Sequence, residues 1–166
     1  YKTPVLTIGG RDTICLNAAE TFNGLITLPD STIKWAWVLG NGTTSQLQNG
    51  IATYSDTGDY NIQLIATNKL GCADTASHSV NVAPPPTAIP VANPITIISG
   101  GSAQLNMTYT GAITTYNWIP TQRLDCINCP VPIANPQATT KYAVQILDRY
   151  GCRNKGEVTV HVVCTG

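Results

Sequence analysis

Lys34-Trp35-Ala36-Trp37-Val38-Leu39-Gly40-Asn41-Gly42-Thr43-Thr44-Ser45 reads as a strand that breaks into a tight glycine turn. Trp35 and Trp37 share a parity, so on a strand of period two both indoles fall on one face and anchor whatever core that face covers. The Asn41-Gly42 pair suits the positive φ of a hairpin turn. The third tryptophan lies in Tyr116-Asn117-Trp118, which repeats the aromatic-x-aromatic spacing 81 positions further on. The chain is one unit written twice.

Other anchors keep nearly the same offset. Tyr142 answers Tyr60 at 82, Gly151-Cys152 answers Gly71-Cys72 at 80, and Val160 and Val162 answer Val80 and Val82 at 80. Several anchors held within two residues of one offset mark an internal repeat. Trp37, Tyr60, Trp118 and Tyr142 are the expected core anchors. Between the copies stands Ala83-Pro84-Pro85-Pro86-Thr87, whose prolines cannot continue a ladder and favour polyproline II. The expected division is a first domain at 1–83, a Pro-rich linker at 84–88 and a second domain at 89–166.

Within the first copy, strands are expected at 4–8, at 13–16 followed by 20–22 as one extended stretch, and at 34–39, 51–54, 60–66 and 80–82, separated by turns such as Gly9-Gly10-Arg11-Asp12 and the polar loop at 28–31. Tyr60, Ile62, Leu64 and Ala66 alternate with polar residues. About 80 residues, seven or so short strands, a core Trp on the third and a Tyr opening the sixth predict an immunoglobulin-like β-sandwich. The fold class is therefore all-β: two tandem sandwiches. The second copy departs at 119–136, where a loop with Cys126 and Cys129 replaces the Gly40-Asn41-Gly42 turn.

Composition narrows the function classes. Charged residues make up 11% of the 166, the net charge is zero, and Lys and Arg are scattered. That excludes the electrostatic footprint of a nucleic-acid or anionic-membrane binder. Six cysteines beside few charges and much Thr, Asn and Gly fit an oxidising, extracellular setting. No apolar run reaches membrane-spanning length and no signal peptide is visible, so membrane insertion is not expected. A start without Met and a stop just after a strand fit a piece of a longer secreted protein.

The residues resemble a known family at this point. Trp37 to Ser45 with Gly40-Asn41-Gly42, then Tyr54, then Gly58-Asp59-Tyr60-Asn61-Ile62-Gln63-Leu64, resemble a PKD domain, whose pattern runs Trp-Asp-Phe-Gly-Asp-Gly, then Tyr, then Gly-x-Tyr-x-Val-x-Leu. Val38 and Asn41 stand where that pattern has its two aspartates. The second copy resembles the PKD-like or Ig-like repeats of large secreted and surface proteins in the Bacteroidetes, through Trp118-Ile119-Pro120, Cys126-Ile127-Asn128-Cys129-Pro130, Thr139-Thr140-Lys141-Tyr142 and Gly151-Cys152. In such proteins these repeats commonly precede a gliding-motility-associated or type IX secretion sorting module. The resemblance implies a spacer or adhesion module, not an enzyme.

Candidate chemistry is sparse. Cys15 and Cys72, the two cysteines of the first copy, are expected to form a disulfide closing 58 residues, which by loop-closure entropy stabilises by about 4 kcal/mol. Cys126 and Cys129 are expected to pin their own loop. A redox pair would need a helix N-terminus, and a zinc site a second close-spaced pair, and the sequence offers neither. Cys152 lacks a counterpart to Cys15 in its own copy, and a strand over 156–163 separates it from Cys164 by about 25 Å. Both are expected to be unpaired.

His78 and His161 do not correspond in the repeat and accompany no nucleophile motif. Asn41, Asp56 and Asp59 are weak calcium candidates, since calcium wants six to eight oxygens; as turn formers they need no ion. No cofactor is expected. Asn41-Gly42-Thr43 and Asn106-Met107-Thr108 fit the N-glycan acceptor pattern, which has meaning only in a eukaryotic source; the resemblance to Bacteroidetes proteins implies instead the O-glycan pattern of that phylum, at Thr13, Ser31 and Thr75. The sequence thus predicts a non-catalytic extracellular spacer and adhesion module whose partners are its neighbouring domains and a cell-surface polysaccharide or protein. The alternative is a carbohydrate-binding accessory module, for which Tyr109, Tyr116 and Tyr150 are the exposed aromatics on offer.

Overall fold

The computed structural model describes residues 5–27 and 33–164. Pro4 and the loop at 28–31, Ser31 included, lie outside them. Among the described residues every regular element is a strand, and no helix is long and apolar enough to cross a membrane. The chain divides into two compact units, Tyr1–Pro84 and Pro85–Gly166.

The first unit contains β1 (Leu6–Gly9), β2 (Thr13–Cys15), β3 (Ala19–Ile26), β4 (Ile33–Val38), β5 (Thr44–Ser45), β6 (Asn49–Thr53), β7 (Gly58–Asn68) and β8 (Ala73–Ala83). One sheet runs β1-β3-β6 and the other β2-β8-β7-β4-β5. The second expected stretch, 13–16 followed by 20–22, is split between them: after Gly9-Gly10-Arg11-Asp12 the chain crosses over so that β2 runs parallel to β8, while β3 returns to pair antiparallel with β1. Trp37 consequently sits on the fourth strand rather than the third, and Tyr60 on the seventh rather than the sixth. Inward residues alternate along every long strand, as two apolar inner faces require. Ile14, Phe22, Trp37, Ile62, Leu64 and Val80 are sealed from solvent.

The second unit contains β9 (Ala88–Asn93), β10 (Thr96–Ile98), β11 (Ala103–Tyr109), β12 (Ile113–Ile119), β13 (Ile133–Ala134), β14 (Thr140–Asp148) and β15 (Arg153–Val163). Its sheets run β13-β11-β9 and β10-β15-β14-β12, with β10 parallel to β15 as β2 is to β8. Leu105, Trp118, Tyr142, Val144 and Val160 form its core.

Two expectations change. The linker is shorter than 84–88, because Pro86 is buried, Asn154 Nδ2 donates to the Pro86 carbonyl at 2.7 Å, the Thr110 amide donates to the Thr87 carbonyl, and Ala88 already pairs with Tyr109. Proline stops a ladder at its own nitrogen but leaves its carbonyl free to accept. Tyr60 is half-buried rather than a sealed anchor: its ring leans on Tyr54 at 4.4 Å and its hydroxyl donates to the Asp56 carbonyl at 3.0 Å. That bond to a carbonyl four residues upstream is the tyrosine corner of immunoglobulin-type sandwiches, which needs the hydroxyl near the rim. The deep position is taken by Tyr54, whose hydroxyl donates to the Leu39 carbonyl at 2.7 Å.

Candidate functional site

The repeated residues are spent on structure. Trp37 Nε1 donates to the Leu47 carbonyl at 2.9 Å, and Trp118 Nε1 to the Cys129 carbonyl at 2.9 Å. Each buried indole thus finds the acceptor that burial of an N–H demands. In the first unit Trp37 also pairs with Ser45 of the two-residue edge strand β5. In the second, the Trp118 amide donates to the Ile127 carbonyl, inside a loop closed by the Cys126–Cys129 disulfide. The disulfide loop takes the place of the edge strand.

The turns before the last strands are also copies. Asn68 Oδ1 accepts from the Leu70 and Cys72 amides, and Asp148 Oδ1 from the Tyr150 and Cys152 amides. Gly71 and Gly151 close them at φ of 83° and 86°. Both carboxamide and carboxylate act here as acceptors for orphan turn amides.

The expected Cys15–Cys72 disulfide does not form, because Cys72 carries a free thiol. Strand pairing explains why. Cys15 lies opposite Ala83 at the end of β8, whereas Cys72 precedes Ala73 at its start. Eleven residues at about 3.3 Å each put them about 35 Å apart, against the roughly 6 Å between Cα atoms that a disulfide allows. Cys15 is disulfide-bonded elsewhere. Cys152 is likewise disulfide-bonded and buried, so its reading as unpaired is also corrected; alignment of the copies compares cysteines with their counterparts and carries no information on which sulfurs meet. Cys164 is free and exposed.

The calcium candidates are occupied by bonds of their own. Asn41 Nδ2 donates to the Thr53 carbonyl, while its Oδ1 accepts from the Thr43 amide and hydroxyl. Asp56 accepts from Ser55, and Asp59 from Asn81 Nδ2 at 2.8 Å. No group of three or more His, Cys, Asp or Glu side chains is placed to hold a metal among the described residues. His78 faces the Arg11 carbonyl and Asp12. Of the glycan candidates, Asn106 lies on β11, Thr13 on β2 and Thr75 on β8.

Of the three tyrosines expected to be exposed, Tyr109 is exposed and Tyr116 and Tyr150 are half-buried, and each ring has a neighbour. Tyr109 and Tyr116 meet edge to face at 6.3 Å, and burial together with Tyr109 raises the Tyr116 phenol above its ordinary range. The Arg149 guanidinium lies over the Tyr150 ring at 4.7 Å.

Two polar features have no signal in the sequence reading. Glu20 is buried and accepts a forked set of bonds from the Arg11 guanidinium, which that carboxylate holds protonated above its usual range. The other is a depression of about 460 Å³ on the outer face of β12, β14 and β15. Its lining includes Thr115, Asn117, Gln145, Leu147, Arg153 and Lys155. They form two adjacent cross-strand rows, Thr115-Leu147-Arg153 and Asn117-Gln145-Lys155. A register irregularity between Ile113 and Thr115 bends β12 beside it, and Thr114 Oγ1 donates to the Leu147 carbonyl across the bend. Period-two patterning marks these positions only as outward, which is why nothing in the sequence singles them out.

The sheet order, the buried indole and the tyrosine corner define an immunoglobulin-type β-sandwich. The chain belongs to the PKD-domain family: the pattern described as "PKD domain" matches residues 1–84. Members of that family are non-catalytic modules, typically extracellular parts of larger proteins. Among solved structures, the PKD1 domain of the Vibrio cholerae metalloprotease PrtV is 23% identical, with 49% of this chain and 98% of that chain covered and a TM-score of 0.43. The PKD1 domain of Vibrio anguillarum Epp is 22% identical over 51% of this chain and 98% of its own, at 0.44. The insect immune protein hemolin is 13% identical over 98% of this chain and 48% of its own, at 0.48. No curated protein matches.

Proposed function

We propose that the chain is a tandem pair of non-catalytic extracellular modules, serving as spacer and adhesion element in a larger secreted or surface-anchored bacterial protein of the kind found in the Bacteroidetes. One observation carries the reading: the polar residues that each unit repeats are committed to holding turns and capping indoles, as in the Asn68 and Asp148 turns. A fold that uses its repeated side chains in this way is built to persist between neighbours. Its partners are the adjoining domains of the same protein and a polysaccharide or protein of the cell surface. The disulfides fit an oxidising compartment.

The test is replacement in the parent protein. An unrelated tandem sandwich of equal length should preserve display of the neighbouring domains on intact cells, measured by antibody labelling, while deletion of the 166 residues should reduce it. Labelling that appears only after cell lysis would overturn the extracellular reading. The alternative, a carbohydrate-binding accessory module, has the polar depression of the second unit in its favour.

A further inference from the structure

We propose that the depression on β12, β14 and β15 binds an anionic sugar residue of a polysaccharide, its carboxylate or sulfate held by Arg153 and Lys155 and its hydroxyls by Thr115, Asn117 and Gln145. This specifies a ligand for the accessory-module reading and depends on it. The volume of about 460 Å³ falls in the range of small-ligand sites. Two rows of three side chains, with strands about 4.8 Å apart and alternate residues about 6.8 Å apart, cover a patch of about 10 by 7 Å, the footprint of one or two pyranose rings.

The chemistry of the lining selects an anion. Two cations line the depression and no carboxylate does. Glu157, next along β15, is engaged chiefly by Lys141, which draws it below the ordinary carboxylate range, and lies 3.5 Å from the Lys155 ammonium. Arg153 has no carboxylate partner among the described residues. Its planar fork is therefore available for a bidentate anion. Lys155 is held at the base of its stem, where Asn154 Oδ1 accepts from the Lys155 amide at 2.8 Å.

Three neutral hydrogen-bonding side chains argue for a polyol over an acidic peptide. The face of a paired sheet offers no free backbone groups for a peptide to ladder onto, so recognition here runs through side chains alone. Hydroxyl, two carboxamides and two cations together match a ring bearing several hydroxyls and one anionic group. Half-buried Leu147, between Thr115 and Arg153, gives an apolar floor for the ring's C–H face.

The test is a chemical-shift titration of the 166-residue protein with trigalacturonate, a sulfated galactose oligomer, neutral galactotriose and hexaglutamate. Trigalacturonate or the sulfated sugar is expected to shift the amides of residues 115, 117, 145, 153 and 155. Arg153→Gln should weaken that binding about tenfold, the loss of a charge-assisted contact, and Gln145→Ala several-fold, both with unchanged thermal stability since the side chains are exposed. Galactotriose binding there as tightly as the anionic sugars overturns the proposal while leaving the accessory-module reading in place. Hexaglutamate shifting the same amides as strongly overturns it in favour of an acidic peptide. Shifts elsewhere, or none with any probe, overturn both.

Discussion

Of the glycines in the second unit, Gly156 has the least room for a side chain. A Cβ there would stand 2.4 Å from the Ala88 carbonyl oxygen and 2.5 Å from Pro90 Cδ. Neither neighbour is the free end of a flexible side chain, so Gly156→Ala forces the two sheets apart and should destabilise by at least about 1–3 kcal/mol in urea unfolding. Gly42, at φ of 87° with nothing within 4 Å, meets only backbone strain, and Gly42→Ala should cost about 1–2 kcal/mol. The buried tyrosines give a second contrast. Tyr142 Oη meets no hydrogen-bond partner among the described residues, so Tyr142→Phe should change stability at pH 7 by less than about 0.5 kcal/mol or raise it, whereas Tyr54→Phe, which strips the Leu39 carbonyl of its donor, should cost about 1–3 kcal/mol. Burial lifts both phenols above their ordinary value of about 10. As pH rises past about 10 the unfolded chain loses these protons first, the folded state then holds more of them, and stability falls. Below that pH the two groups leave stability unchanged. Denaturation at pH 7 and pH 11 should show the decline, and Tyr142→Phe should lessen it.

The disulfide loop is the element in which the two copies differ most, and its work is specific. It holds the Ile127 carbonyl against the Trp118 amide and the Cys129 carbonyl against the indole. Replacing Cys126 and Cys129 by alanine should cost about 2 kcal/mol, the loop-closure value for so small a ring, and should speed hydrogen exchange at the Trp118 amide and Nε1 more than at core amides of β14. Equal exchange in variant and parent would show that the loop stays in place without its bond. The strands themselves were legible: Ile62, Leu64 and Ala66 are buried where period-two alternation placed them, and Trp37 and Trp118 announced themselves by recurring. The acceptors of those indoles were not, because a backbone carbonyl in a loop has no residue type to betray it. The pairing of Cys15 was illegible for a related reason. It hangs on which end of β8 lies beside β2, and parallel register is set by the crossover after Gly9, which no side-chain pattern records.

Each unit has a core of its own, with a tryptophan and a tyrosine at its centre. A domain with an independent core can fold alone, so fragments 1–84 and 85–166 should each give a cooperative unfolding transition and a β-type circular dichroism spectrum. A fragment that shows dispersed amide resonances only when mixed with the other would contradict that independence. The repeat made this division readable, since one core copied at a near-constant offset leaves the Pro84-Pro85-Pro86 run as the seam. What the repeat could not convey is where the copies diverge in use, because the outward positions of the second unit carry Arg153 and Lys155 where the first carries Ala73 and Thr75. The short edges of the sheets bear on the chain's life as a string of similar modules. β2 and β5 have three and two residues, and the long edge strand β12 is capped at Trp118 by a covalently closed loop. Neighbouring copies emerge during synthesis at very high local concentration, where an open edge would invite strands of the wrong module. Stunted and fastened margins make such exchanges unrewarding, so the same fold can be repeated along one polypeptide and still sort itself correctly.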